Sequence, residues 1–283
     1  MKFAAYTSGY RFRPLEQAFA DARTFGYDGI ELCGERPHAY APDLCGERLY
    51  RIRRWIEQYQ MPVIGYCPKV NGYPYNLMLG DRDIWQDSLA YVRRTLDAAR
   101  DLGAGFSVIA FGQAAEGVTR PEKERRMRES LLRLADHASA CETLLLIEPL
   151  TPRESDSLCS AAELSALLEQ VDCPYVAGMC DTVVPFIQSR QGQSSEDLDT
   201  WFDLLGWRLR HIHMTDSDGL TEDHILPGDG IAPLGEMLAT LHRREYEGYI
   251  TIELVDMYRH DPTHYAGLAL AHMRQLETQL SGR

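Results

Sequence analysis

Four short apolar runs in this sequence end in a side chain able to bind a cation or move a proton. LLLIE ends at Glu148, GMCD at Asp181, RHIH at His213 and TIE at Glu253. Each run suits a buried strand, and Pro149, which cannot donate a ladder hydrogen bond, stops the first. Side chains alternate along a strand. Leu144, Leu146 and Glu148 therefore share a face, as do Ala177, Met179 and Asp181, then His211, His213 and Thr215, then Thr251 and Glu253. If those faces point inward on strands about 4.8 Å apart, the four terminal groups converge on one ion, with bonds of about 2.1 Å. Three carboxylates and an imidazole form a hard, mostly oxygen donor set. It suits a single Mn²⁺, Co²⁺ or Mg²⁺, with Zn²⁺ and Ni²⁺ behind them. Alone, a strand-end Glu reads as an ion-pair partner and an HxH as a hydrogen-bonded core pair. The recurrence over four consecutive strands is what points to a metal.

Such convergence requires parallel strands whose C-terminal ends meet. Strands are expected at 3–7, 30–32, 62–67, 106–111, 144–148, 175–181, 209–214 and 249–254. Helices are expected at 15–23, 44–58, 84–102, 122–140, 160–171, 198–205, 234–243 and 265–280, with Gly103 as a C-cap and a polar break at 188–197. This alternation predicts an α/β protein, and eight repeats of roughly 35 residues predict a single-domain (β/α)8 TIM barrel over 1–283. FGYDGIEL at 25–32 echoes REYEGYITIEL at 244–254, and no GxGxxG follows the first strand to suggest a doubly wound sheet. The loops at 34–45 and 68–80 are rich in Tyr for surface segments. Either they line or lid a pocket, or they pack on each other or on a second copy of the chain. The second possibility is the basis for expecting a homo-oligomer.

A net charge of −13 opposes nucleic acid as the main partner. The N-terminus MKFAAYTSGYRF lacks a signal-peptide pattern, and no apolar run approaches the roughly 18 residues of a membrane span. Seven cysteines without a CxxC read as reduced, mostly buried thiols, so a cytoplasmic protein is expected.

The segments GYDGIEL, RPHAYAPDL, MPVIGY, NGYPYN and MLGD are followed in order by EPLTPRES, CDT, LRHIHMTDSDG, LPGDG and YEGYITIEL. Over nearly the whole chain they resemble the xylose-isomerase-like family of sugar isomerases and epimerases. The resemblance implies that Glu148, Asp181, His213 and Glu253 are the metal ligands and that Glu148 and Glu253 are also the acid/base pair. It further implies that Tyr6, Glu154 and His224 contact substrate. The implied reaction inverts C3 of a ketose through an enediolate, with the metal as Lewis acid.

Two positions depart from the free-ketose epimerases of that family: Val184 stands where they carry a substrate-binding His, and Gly219 where they carry an Arg. The expected substrate is therefore a sugar–amine, a ketose with an amino acid at C1, such as fructoselysine going to psicoselysine. Asp216, Asp218, Asp229 and Glu154 are candidates to receive its cationic amines. Against this, Asp216 and Asp218 could simply cap the turn at Gly219. The rivals are a free-ketose 3-epimerase, an aldose–ketose isomerase, an inosose-type dehydratase, a sugar-binding barrel without catalysis and an apurinic endonuclease. The last would need more histidine ligands and a basic groove.

Overall fold

The computed structural model describes residues 1–281 of the chain. Its strands are β1 (Lys2–Tyr6), β2 (Gly29–Cys33), β3 (Val63–Cys67), β4 (Phe106–Ala110), β5 (Leu144–Glu148), β6 (Val176–Asp181), β7 (Leu209–Met214) and β8 (Tyr249–Ile252). Every neighbouring pair is parallel, and β8 pairs back onto β1 to close the barrel. The helices are α1 (Leu15–Phe25), α2 (Gly46–Tyr59), α3 (Arg82–Leu102), α4 (Arg120–Cys141), α5 (Ala161–Val171), α6 (Val183–Arg190), α7 (Leu198–Leu205), α8 (Leu234–Arg243) and α9 (Pro262–Ser281). The TIM barrel expected from the alternation is the fold observed. No helix is long and apolar enough to cross a membrane.

Local chemistry explains the element ends. The Asp81 carboxylate accepts from the amides of Asp83 and Ile84 and so starts α3, and Gly103 at φ 73° ends it. Ser160 caps α5 through the amide of Glu163. Helix α6 was not expected from sequence: it lacks a capping side chain and carries Pro185, which reads as a breaker. Pro185 lies in its first turn, where an absent N–H leaves no intrahelical bond unmade.

The inner apolar layer of the barrel is Ala4, Ile64, Phe106, Val108, Leu146, Ala177 and Met179. Gly65 admits the Phe106 ring, which would come within 2.2 Å of a Cβ there. A larger cluster, including Phe3, Phe19, Leu32, Leu96 and Ile147, fills the space between strands and helices. Towards the C-terminal ends of the strands the inner layer becomes polar. Register aligns Tyr6 with Glu31, Asp181 with His213, and His213 with Thr251. Strand β8 ends at Ile252, so Glu253 stands just beyond the ladder.

The two Tyr-rich loops both pack on each other and border the mouth of the barrel. Tyr75 stacks on Tyr91 with centroids 3.9 Å apart, Tyr40 stacks on Tyr91 at 5.5 Å, and the Tyr40 and Tyr75 hydroxyls are 2.6 Å apart. Lys69 and Asn71 of the second loop line the central cavity.

Candidate active site

Glu148, Asp181, His213 and Glu253 meet where the strands end. Donor atoms of Glu148, His213 and Glu253 lie within 4.8 Å of one another, and so do those of Asp181, His224 and Glu253. His213 Nδ1 is 2.6 Å from Glu253 Oε2 and 3.9 Å from Glu148 Oε1. His224 Nε2 is 3.0 Å from Asp181 Oδ2 and 3.4 Å from Glu253 Oε2. Glu253 thus joins two triads into a single cluster, and His224 enters it from the loop after β7.

Glu31, on β2, is a member of the site that the sequence reading missed. It is 0% exposed and within 2.9–3.0 Å of His213 Nε2, 2.8 Å of His211 Nε2 and 2.6 Å of the Thr251 hydroxyl, which donates to it. A proton on His213 Nε2 is therefore donated to Glu31, leaving Nδ1 to face Glu253 and Glu148. Carboxylates behind metal-binding histidines fix ring orientation and tautomer in this way. Burial alone would raise the Glu31 carboxyl, but His213 and His211 outweigh it and hold Glu31 below the ordinary range. The available signal was a charged residue inside the apolar run GIELC, on a strand that echoes TIEL.

The chemistry of this cluster fits a cation. Glu31 and Asp181 are buried, Glu148 and Glu253 are mostly so, and their ion-pair partners are imidazoles. Burial pushes Glu148 well up; His213 opposes the shift, and the negative Glu253, Asp181 and Glu154 add to it. Burial also acts to raise Glu253, but His224 and His213 prevail and hold it low. Carboxylates crowded at this depth repel one another unless positive charge neutralises them. Three carboxylates with His213 Nδ1 form an oxygen-rich donor set for a divalent ion, and His224 Nε2 borders it at hydrogen-bond distance from Asp181.

A cavity of about 330 Å³ opens above the cluster, lined by Tyr6, Glu148, Asp181, Glu253, His224 and Glu154 among others. His213 is 1% exposed and lies behind that lining, its ring centroid 5.9 Å from that of Tyr6. Glu154 accepts from the Thr151 hydroxyl at 3.4 Å, and Glu222 beside it accepts from the same hydroxyl at 2.8 Å. Burial raises Glu154, with Asp181 and Glu222 adding to the shift. Cys33 and Cys67 also line the cavity. Burial pushes Cys33 up to about 12 and Cys67 well above its usual value, which favours the neutral thiol at both.

Asp216 is not where the sequence reading put it. It does not line the cavity, and its carboxylate accepts from the amides of Ser217, Gly228 and Ala232, each at 2.9 Å. A Cβ at Gly230 would lie 2.3 Å from Asp216 Oδ1, so only glycine lets the loop close over it. Asp216 also pairs through its backbone with Ile225, next to His224. Its role is to fold the segment that carries His224 inward. Asp218 caps the turn, accepting from the amides of Leu220 and Thr221 at 2.8 Å each. Neither Asp218 nor Asp229 lines the cavity. Val184 is buried in α6, and Gly219, at φ 73°, packs against Arg190.

A family model described as xylose isomerase-like TIM barrel matches residues 19–276. The chain is 41% identical over 278 residues to fructoselysine 3-epimerase of Escherichia coli O157:H7, covering 98% of both proteins. The structure of 3-keto-D-glucoside 4-epimerase from E. coli superposes with a TM-score of 0.81 at 18% identity, covering 97% of this chain and 99% of that one. D-psicose 3-epimerase from Clostridium cellulolyticum H10, solved with D-tagatose, gives 0.77 at 17% identity, covering 98% and 99%. At such identities the two structures speak to the fold alone.

Proposed function

The chain belongs to the xylose isomerase-like TIM-barrel family, and we propose that it inverts C3 of a ketose carrying an amino acid at C1, taking fructoselysine to psicoselysine. The observation that carries this reading is a pair of carboxylates. Glu148 ends β5, Glu253 follows β8, and both line one cavity and belong to one cluster able to hold a cation. Likeness along the whole length to a fructoselysine 3-epimerase supports the choice of substrate.

Inversion at C3 requires a proton to leave one face of the sugar and another to arrive on the opposite face. One glutamate takes the C3 proton as general base, and the other returns a proton to the planar enediolate as general acid. A divalent ion held by Glu148, Asp181, His213 and Glu253, when bound, supplies Lewis acidity and neutralises negative charge near the sugar oxygens. Glu31 keeps His213 Nδ1 turned towards the cluster, and His224 braces Asp181 and Glu253. Glu154 receives a sugar hydroxyl, and the Tyr6 ring covers the sugar and excludes water.

The test is turnover of fructoselysine by the purified protein with Mn²⁺, alongside Glu148→Gln and Glu253→Gln. The wild type is expected to form the C3 epimer. Each variant is expected to lose on the order of 10²–10⁴-fold in turnover, the usual contribution of a positioned proton transfer. Wild-type turnover by either variant would remove the two-base scheme.

A further inference from the structure

Of the carboxylates considered for the amino-acid part of the substrate, Asp216, Asp218 and Asp229 do not line the cavity, and Glu154, which does, is assigned to a sugar hydroxyl, so that part is received elsewhere. On the β1–β3 side of the mouth, Arg11, Glu35 and Lys69 line the central cavity and also line a second cleft of about 350 Å³. Arg11 Nη2 is 2.6 Å from Glu35 Oε2, and both side chains are about one-third exposed, at 32% and 28%. Lys69 is exposed beside them and has no ion-pair partner among the described residues. Tyr40, Tyr75 and Tyr91 form an aromatic wall in the outer cleft.

We propose that Arg11, Glu35 and Lys69 form a subsite for an α-amino-acid zwitterion, the far end of a lysine tether whose sugar lies over Glu148 and Glu253. This rests on the reading of the substrate as a sugar–amine. An α-carboxylate matches the planar guanidinium of Arg11 and the ammonium of Lys69, and an α-ammonium matches Glu35. The methylene chain between sugar and head is apolar and would pass the neck where the two cavities share their walls. Glu35 disfavours a phosphate at the same place, because a carboxylate there repels a dianion. A partly exposed ion pair contributes little to stability, so the Arg11–Glu35 pair is better explained by what it presents to the cavity. The three residues are specificity determinants and take no part in proton transfer.

The experiment compares kcat and KM for fructoselysine and for fructosyl-butylamine, which keeps the sugar and the cationic amine but lacks the zwitterionic head. Wild-type kcat/KM is expected to be about tenfold or more higher on fructoselysine, as for one charge-assisted contact. Lys69→Gln, at an exposed position, and Glu35→Gln are each expected to raise KM for fructoselysine while leaving both constants for fructosyl-butylamine unchanged. Equal wild-type kcat/KM on the two substrates, or an equal loss on both in Lys69→Gln, would overturn the subsite and leave the sugar–amine reading standing. Turnover of free fructose with none on either sugar–amine would overturn that reading and the subsite with it.

Discussion

His213 can offer Nδ1 to a cation only while something holds Nε2, and Glu31 does so at 2.9–3.0 Å. Glu31→Gln is therefore expected to weaken divalent-metal affinity by about 10–100-fold, the usual cost of losing the group behind a histidine ligand. Competition with a chromophoric chelator would measure this, and wild-type affinity in a folded variant would contradict it. The difference between Glu148 and Glu31 shows what the sequence can reveal about single residues. Glu148 was legible because a proline and a strand end marked its position, and because three other strands ended alike. Glu31 lies inside its apolar run, where a lone acid carries no spacing to read. His224 came from likeness alone, since no periodicity governs a loop residue.

Strands and helices were legible where a period and a cap coincided. The ends of α7, α8 and β7 match the expected bounds, and the Gly103 cap is where the pattern broke. Helix α6 was missed because it carries a proline and its N-cap residue offers no side-chain cap, whereas α7, equally short, opens on the Asp197 cap. The hairpin after β7 was misread for a different reason. Asp near Gly looks the same in sequence whether it faces substrate or backbone, and only the three amides on Asp216 decide the matter. Asp216→Ala takes the acceptor from those three amides, the Ser217 amide buried among them, and is expected to cost roughly 1–3 kcal/mol of stability. It should also lower turnover on every substrate alike, because it displaces His224. A change in substrate preference would instead return Asp216 to the cavity. In the inner barrel layer, Leu146 is 0% exposed, and Leu146→Ala is expected to cost about 2–5 kcal/mol by urea denaturation. A loss well below that would mean that the layer collapses around the gap.

The closed barrel converts scattered strand ends into one site, since each carboxylate is supplied by a different strand and none is near another in sequence. That much followed from counting eight alternations, because a closed parallel barrel brings the C-terminal ends of its strands together. Which loop residues project inward did not follow, since loop paths obey local hydrogen bonding rather than period. With a formal charge of −13, the protein is expected not to bind duplex DNA at physiological salt, because an acidic surface repels phosphates. A measurable shift of labelled duplex DNA would count against this. The loop tip at Tyr73, 96% exposed, leaves an aromatic surface that is expected to meet a second copy of the chain. Sedimentation at micromolar concentration would read this directly, and a monomer would remove the expectation.

The most direct measurement of the central claim is solvent deuterium incorporation into fructoselysine, followed by NMR, with the metal-loaded wild type and with protein stripped by a chelator. Proton transfer at C3 by Glu148 and Glu253 predicts deuterium at C3 as the C3 epimer forms, and almost none after metal removal. Deuterium at C1 with C3 untouched would contradict the account and assign the site to aldose–ketose isomerisation.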